Sequence, residues 1–190
     1  MELVPWIPTP HAIIEYLVNS INIDRDDTVL DMGCGDGRVI LSFARLGANG
    51  ICIEIDKTLC NIVEISSQLL NVKDKIRVIC RDFFTVSLSD LEPAPTIIYL
   101  YLYRSILEEI AKKLEKELSI GTIIVTLDFP ISSWSPFFVK HIVDENGFDR
   151  FLWFYVIGIS NPMARRFVFT EDEHINLIQT RLAKRKLYLY

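Results

Sequence analysis

The sequence predicts an α/β fold with a doubly wound, mostly parallel seven-stranded sheet, an antiparallel C-terminal hairpin and an added C-terminal helix. Between residues 28 and 127, short apolar runs alternate with longer segments in which apolar residues recur every three or four positions. Such alternation is typical of strands and helices around a parallel sheet. After Asp128 the pattern changes, because two strand-like stretches then follow each other without a helix between them.

The first predicted element is a helix at residues 10–21, where Thr9 is a good N-cap and Pro10 a good first helical residue. The further strands are predicted at 28–32, 50–55, 76–80, 96–102 and 121–127, and the further helices at 37–46, after Asp56 and at 104–117. The fourth strand is apolar or aromatic along its length, as expected of a central parallel strand.

The last third of the chain predicts a hairpin and then a helix. Strands are expected at 137–143 and 151–159, joined through Asp144–Gly147, where Asn-Gly favours a tight turn. Thr170-Glu-Asp-Glu173 is a capping box and predicts a helix to about residue 186, whose apolar stripe is expected to pack on the protein itself or on a second copy. We therefore expect one domain at 1–160 and a helical extension at 161–190.

A glycine-rich turn follows the first predicted strand and reads Asp31-Met-Gly-Cys-Gly-Asp-Gly37. Gly33, Gly35 and Gly37 allow positive φ and a close approach of a ligand to the main chain, and the helix beyond presents free N–H groups. The spacing differs from the dinucleotide motif G-x-G-x-x-G, and the Asp31 and Asp36 carboxylates would repel a pyrophosphate. S-adenosylmethionine carries a sulfonium and an ammonium and suits this site better; a turn without any ligand is the alternative.

Two later acidic positions fit the same ligand. Glu54 ends the second strand about 20 residues beyond the glycine turn, where a carboxylate can hold both hydroxyls of a ribose. Asp82 follows the third strand and could accept a hydrogen bond from the adenine amine while Phe83 covers the ring. The alternatives are a solvated strand end for Glu54 and a turn-capping role for Asp82.

Together, the Asp31–Gly37 motif, Glu54 and Asp82-Phe83 resemble the class I, Rossmann-like S-adenosylmethionine-dependent methyltransferases over residues 26–128. When the segments Val4–Pro10, 96–102 and Leu118–Val125 are added, with Asp128-Phe129 and Trp134, the chain is similar to the small archaeal protein-lysine methyltransferases and their mitochondrial relatives over roughly residues 4–157. The resemblance implies S-adenosyl-L-methionine as cofactor, a further cofactor contact from Ile55, and a protein substrate with exposed lysines.

Several residues are candidates for the acceptor side of the site. Tyr101 and Asp128 follow the fourth and fifth strands, where ligands bind in such sheets, and we take them as candidate catalytic residues. Trp6 and Trp134 are candidate walls of a substrate channel that guides an alkylammonium by cation–π attraction, with ordinary packing as the alternative. Thr9 could hold the methionine carboxylate of the cofactor.

The sequence departs from related families after the fourth strand. The Asn/Asp-Pro-Pro-Tyr/Phe motif of enzymes that methylate planar amide or base nitrogens is absent there, and Leu102-Tyr-Arg-Ser105 stands in its place. This absence argues against DNA adenine, glutamine and many RNA bases as acceptors. In the lysine methyltransferases an Asn often follows this strand and a His precedes the Asp128 position, whereas this chain has Arg104-Ser105 and Leu127.

Composition limits the remaining possibilities. Residues 1–157 carry a net charge of −8 and residues 158–190 a net charge of +3, so the body disfavours non-specific nucleic-acid binding and favours a basic substrate, although acidic surfaces also simply aid solubility. Without a membrane-length apolar run or a signal-like N-terminus, we expect a cytoplasmic protein, as a monomer or homodimer. No metal site is expected, and the four cysteines are expected to be reduced. The alternative functions are a small-molecule or RNA methyltransferase and a non-catalytic module that keeps the cofactor fold.

Overall fold

The computed structural model describes residues 6–161 together with Thr180 and Ala183. Its strands are β1 (Thr28–Met32), β2 (Asn49–Glu54), β3 (Ile76–Cys80), β4 (Ile97–Leu100), β5 (Ile123–Leu127), β6 (Phe138–Val143) and β7 (Asp149–Val156). Its helices are α1 (His11–Ser20), α2 (Arg38–Arg45), α3 (Lys57–Leu69) and α4 (Arg104–Glu117). The predicted helix at 170–186 lies outside the described residues, apart from Thr180 and Ala183.

The seven strands form one mixed sheet in the order β3-β2-β1-β4-β5-β7-β6. The first five pair in parallel, and β7 joins β5 and β6 in antiparallel fashion, which confirms the predicted fold class. Because β1 lies between β2 and β4, the direction in which successive strands are added reverses at β1. Ligands bind beyond the carboxyl ends of the strands at such a switch point.

Register places polar side chains of β1 and β4 on one face of the sheet. Asp31 pairs with Cys52 on one side and with Tyr99 on the other, and side chains at paired positions share a face. We call this the α1 face, because its core contains Ile13 and Leu17 of α1 beside Tyr99. Asp31 therefore stands at the carboxyl edge of the sheet on the α1 face.

The opposite side, which we call the α4 face, has its own apolar core. It contains Leu30, Ile98 and Leu100 from the strands together with Leu107, Ile110 and Leu114 from α4. Each fully buried aliphatic or aromatic side chain stabilises the fold by about 1.5–3 kcal/mol. The sheet thus packs between two apolar cores, one on each face, and polar side chains lie at its carboxyl edge.

The hairpin loop differs from the expected tight turn. Instead of a two-residue Asn-Gly turn, five residues join the strands, and the Asp144 carbonyl oxygen accepts a hydrogen bond from Gly147 N at 3.0 Å. Its side-chain Oδ1 accepts from Asn146 N at 2.9 Å and Phe148 N at 3.0 Å. Because the Asp144 side chain organises the loop, β7 begins at Asp149, two residues earlier than predicted.

The same loop caps α1, so the expectation of an N-cap at Thr9 is wrong. The N-cap position is Pro10, and the first amides of the helix, His11 N and Ala12 N, donate to the Glu145 carboxylate at 2.8 and 3.2 Å. Thr9 Oγ1 lies instead 2.9 Å from the buried Tyr99 hydroxyl. A cap supplied 134 residues away in the chain leaves no local sequence signal.

The expectation of four reduced cysteines is also wrong. Cys34 is bonded to Cys52 and Cys60 to Cys80, with Cα–Cα separations of 5.4 and 6.0 Å, which lie in the usual range for disulfides. Cys34, in the glycine turn after β1, meets Cys52 on the adjacent strand β2, whereas Cys60 of α3 meets Cys80 at the end of β3. The first bond therefore ties the glycine turn to β2, and the second ties α3 to β3.

The described residues contain neither a membrane-spanning helix nor a metal-binding cluster of side chains. No helix there has the length and apolar character needed to cross a bilayer. Nor do three or more His, Cys, Asp or Glu side chains gather there in a way that could hold a metal ion.

Replacing Tyr155 by Phe is expected to destabilise the fold by about 1–3 kcal/mol, the cost of leaving a buried donor without an acceptor. Tyr155 is fully buried, and its hydroxyl accepts a hydrogen bond at 2.9 Å from the buried Ile131 N, in the loop after β5. Urea unfolding measures the difference. Tyr103→Phe is the control, because Tyr103 is 42% exposed; equal stability of both variants and the wild type would contradict the assignment.

Candidate functional site

The glycine turn is built for close approach. Gly37 caps α2 in the left-handed conformation at φ +76°, and a Cβ atom there would lie 2.8 Å from Val63 Cγ2 of α3. Gly35 has φ +57°, and a Cβ atom there would lie 2.1 Å from Nε1 of Trp6. Gly33 N donates to the Ile53 carbonyl at 2.7 Å, which fixes the turn to the end of β2.

Glu54 holds the turn from the other side. Its Oε2 accepts from Gly35 N at 2.9 Å, and its Oε1 accepts from Ile55 N at 2.7 Å and Asp56 N at 3.0 Å. The residue is only 8% exposed. An ionised carboxylate has about four acceptor positions, so these three bonds leave capacity for a ligand hydroxyl.

Asp31 is the group in this region that most needs a partner. It is 3% exposed, and its carboxylate forms no hydrogen bond with any residue in the part of the chain that the structure describes. Burial raises the pKa of Asp31 well above its ordinary value, and the negative charges of Glu54 and Asp36 raise it further. A cation placed beside Asp31 would remove this penalty.

Asp36 has a partner within the chain. It forms a two-pronged ion pair with Arg38, in which Nη2 lies 2.7 Å and Nε 3.0 Å from Oδ2. Arg38 also donates to the Thr9 carbonyl at 3.2 Å and lies 5.9 Å from the centre of the Trp6 ring. Asp36 thus acts through Arg38, which ties the segment before α1 to the glycine turn and places Trp6 over Gly35.

The predicted adenine contacts lie at the edge of this region. Ile55 is 53% exposed at the end of β2, where an apolar side chain is available to a ligand. Asp82 caps a short 3-10 turn by accepting from Phe84 N at 2.9 Å, so the turn-capping alternative is observed for one of its oxygens. Phe83 is partly buried against the core of the α4 face.

The described residues fit S-adenosylmethionine. The buried Asp31 carboxylate, which has no hydrogen-bond partner among the described residues, and the net negative surroundings suit its cationic centre. The positive φ angles and close neighbours of Gly35 and Gly37 show that the turn admits no side chain there and keeps its main chain bare. Glu54 retains acceptor capacity for hydroxyl groups. Asp31, Gly33, Gly35 and Glu54 would therefore hold the cofactor.

A second polar cluster lies beyond β4, β5 and β7. Asp128 Oδ2 accepts from the Tyr101 hydroxyl at 3.1 Å and from Arg150 Nη1 at 2.7 Å, and Arg150 Nε donates to Asp144 Oδ2 at 2.8 Å. We call these four residues the Arg150 cluster. It brings together the two predicted catalytic residues, Tyr101 and Asp128, with two that sequence reasoning missed, Asp144 and Arg150. The available signal for Arg150 was a positive charge directly before the apolar run of β7.

Asp128 has an unusual conformation and an open acceptor. Its φ is +64°, in the left-handed region that costs a non-glycine residue about 1–3 kcal/mol. Its Oδ1 is buried and has no hydrogen-bond partner among the residues that the structure describes. Burial raises the pKa of Tyr101, and the charge of Asp128 raises it further, so Tyr101 stays protonated at neutral pH and donates to Asp128.

Trp134 does not join this cluster. It is 6% exposed and packs edge-to-face on Tyr155, with ring centres 5.9 Å apart, in the core of the α4 face. Asp31 and Tyr99 lie on the opposite face. Its position therefore makes Trp134 a core residue, as in the packing alternative, and we leave it out of the substrate channel.

Comparisons with known proteins identify related methyltransferases. Residues 31–138 match the family model described as the ANTKMT methyltransferase domain. A protein-lysine N-methyltransferase from Saccharolobus islandicus (strain REY15A) is 30% identical over 82% of this chain and 94% of its own length. An adenine nucleotide translocase lysine N-methyltransferase from Mus musculus is 26% identical over 84% of this chain and 66% of its own length.

Among solved structures, an RNA methyltransferase from Salinibacter ruber in complex with S-adenosyl-L-homocysteine superimposes with a TM-score of 0.70 and 29% sequence identity. The match covers 80% of this chain and 94% of that one. That protein therefore holds the demethylated form of the cofactor that the Asp31 site fits.

Gly35→Ala is expected to abolish or strongly weaken binding of S-adenosylhomocysteine, by roughly tenfold or more. The added Cβ would lie 2.1 Å from Nε1 of Trp6 and displace the Trp6 ring from the glycine turn, and positive φ is strained for any L side chain. Gly147→Ala is the matched control, because Gly147 has φ +82° but nothing within 4 Å of the added carbon. Calorimetry should show a loss of affinity in the first variant only; equal affinities would contradict the role of Gly35.

Asp31→Asn is expected to raise the melting temperature of the cofactor-free protein while weakening cofactor binding, because the amide removes a buried charge that Glu54 and Asp36 oppose. Asp144→Asn is the control of opposite sign. Burial pulls the pKa of Asp144 upward, but hydrogen bonds from Arg150 and two amides hold it below its ordinary value. Its loss should lower the melting temperature at neutral pH.

The gain from Asp31→Asn should depend on pH. The folded pKa of Asp31 lies above its unfolded value, so the ionised form destabilises the fold. The gain is therefore full above the folded pKa, shrinks as pH falls through it, and vanishes below about pH 4, the ordinary range of aspartate. Thermal scans across this range measure it, and a gain that does not change with pH would contradict the assignment.

Proposed function

We propose that this chain, which belongs to the ANTKMT methyltransferase family, transfers methyl groups to lysine side chains of a protein substrate. The chain is an S-adenosylmethionine-dependent methyltransferase. When bound, the cofactor supplies a methyl group on a sulfonium, an electrophile whose leaving group is neutral and needs no acid. The protein therefore has to bind, orient and deprotonate the acceptor.

The charge of the acceptor side carries the proposal. Asp128, Asp144 and Glu145 lie on or beside the loops that flank β5 and β7, and Arg150 is the cation among them. Its Nε donates to the Asp144 carboxylate and its Nη1 to the Asp128 carboxylate. An opening of this charge attracts an ammonium-bearing side chain and repels the phosphates of nucleic acid.

Aromatic side chains extend the same opening. Tyr101 is half-buried, and Tyr103, 42% exposed, lies 6.2 Å from the Phe129 ring. Aromatic walls exclude water and bind an alkylammonium through cation–π attraction. Tyr101 and Tyr103 are therefore proposed as the walls of the lysine channel, with Asp128 at its inner end and Trp6 at the cofactor side.

The catalytic roles follow from the cluster. A lysine amine has an ordinary pKa near 10.4 and must be neutral before it can attack. We propose that Asp128 Oδ1 accepts a hydrogen bond from the amine and orients its lone pair, and that Tyr101 fixes the carboxylate by donating to Oδ2. No residue needs to protonate the leaving group.

A cytoplasmic location and a monomeric or homodimeric state belong to the same proposal. Two disulfides are unusual in that compartment, except in hyperthermophiles, whose intracellular proteins are often rich in them.

RNA methylation is the second candidate function, since the similar Salinibacter ruber protein is an RNA methyltransferase.

Incubation of the purified protein with labelled S-adenosylmethionine and either a lysate protein fraction or total RNA separates the two candidates. We expect label in protein, on lysine residues by mass spectrometry, and a rate that rises with pH as more amine becomes neutral. Reductive methylation of the protein fraction beforehand should abolish labelling. Label confined to RNA, or to neither fraction while cofactor binding is intact, would overturn the lysine assignment.

A further inference from the structure

We propose that Arg150 is a positioning residue that makes the acceptor site select the neutral form of the substrate amine. The inference rests on the proposed lysine methyltransferase function and assigns a role to a residue that the methyl acceptor need not touch. It starts from the way in which Arg150 holds Asp128.

Arg150 clamps one edge of the Asp128 carboxylate. Its Nη1 lies 2.7 Å from Oδ2 of Asp128, and its Nε lies 2.8 Å from Oδ2 of Asp144. The Arg150 and Asp128 side chains are each 19% exposed, so both ions are largely removed from water. The clamp leaves Oδ1 of Asp128 as a buried acceptor that no described residue satisfies.

A bare carboxylate at this position would oppose the reaction. A negative charge beside a lysine favours the ammonium form and raises the pKa of the amine, whereas methyl transfer needs the free lone pair. A cation that neutralises the carboxylate lets Oδ1 accept a hydrogen bond from the neutral amine without holding the extra proton. Arg150 binds Oδ2 of Asp128, so it neutralises the carboxylate while Oδ1 stays available to the amine.

The surrounding groups leave this balance to Arg150. Tyr99 of β4 and Tyr101, just after the strand, both feel the charge of Asp128. Burial raises the pKa of both hydroxyls, so they are uncharged at neutral pH. Asp144 faces Arg150 from the hairpin loop and draws part of its positive charge away from Asp128. Among these described neighbours, Arg150 is the cation, and its own pKa is raised by Asp144 and Asp128 against the effect of burial.

The first test compares Arg150→Met with the wild type in a profile of kcat against pH, using a protein substrate shown to be methylated on lysine. The alkaline shift of the rising limb should be about one pH unit, with kcat at neutral pH lowered about tenfold. The dissociation constant for S-adenosylhomocysteine should stay within about twofold of the wild type, because Arg150 lies outside the cofactor region.

Lys113→Met is the matched control for the loss of a half-buried ion pair. Lys113 pairs with Glu117 on α4 at 3.0 Å, with side chains 15% and 20% exposed, a burial similar to that of the Arg150 pair. Its loss should lower the melting temperature without moving the pH limb. Arg150→Lys should restore the position of the limb, since it keeps the charge, while kcat stays low because the fork to two carboxylates is lost.

Asp144→Asn gives a shift of opposite sign and decides the matter if Arg150→Met does not fold. The amide keeps an oxygen that can accept from Asn146 N and Phe148 N, so the loop is preserved. More of the Arg150 charge then acts on Asp128, and the limb should move to lower pH.

A limb that stays at its wild-type position in either folded variant overturns the role of Arg150. Failure of the underlying function looks different: the wild type itself would then place no methyl group on lysine while still binding S-adenosylhomocysteine, and this is seen before any variant is made.

Discussion

A desolvated carboxylate at the centre of the carboxyl edge is the constraint on which the site depends. Asp31 is fixed there because β1 pairs with β2 on one side and with β4 on the other. Burial and the negative charges of Glu54 and Asp36 all disfavour its ionised form. A fold tolerates such a group only when two well-packed cores supply the stability that it removes. The cost becomes binding energy when a cationic ligand arrives, because the ligand then removes the repulsion rather than competing with an internal partner.

The chain treats its two sets of carboxylates differently, and this difference divides the site. On the cofactor side, Asp31 has no partner within the described part of the chain, and Glu54 is bound by neutral amides. On the acceptor side, Asp128 and Asp144 share a guanidinium. Uncompensated charge suits a permanent cation such as a sulfonium, which has no proton to lose, whereas compensated charge suits an amine that has to be neutral to react.

The fold was predictable because its signals are local and repeated. Each parallel strand is an apolar run, each helix an apolar stripe, and the glycine turn has its own residue pattern. The order of elements could therefore be found from the sequence, and Asp31, Gly35 and Glu54 could be proposed from it as cofactor residues. What could not be found were contacts between distant segments. The Glu145 cap on α1, the two disulfides and the Arg150–Asp128 pair all join residues that are distant in the sequence and that only the packing of strands, helices and loops brings together. For a related reason, the sequence could not separate the two interpretations of Trp134, a channel wall or a core residue. An aromatic residue near a strand end gives the same sequence pattern in both cases.

The long-range contacts also couple the two halves of the site. Arg38 binds Asp36 of the glycine turn and the Thr9 carbonyl just before α1, while Glu145 of the hairpin loop binds the first amides of the same helix. Asp144, the neighbour of Glu145, holds Arg150. The N-terminus of α1 therefore lies between the glycine turn, to which Arg38 ties the Thr9 carbonyl, and the hairpin loop, whose Glu145 binds the first amides of the helix. Because Asp144 of that loop also holds Arg150, hydrogen bonds and short backbone segments together fix the position of the acceptor carboxylate relative to the cofactor region.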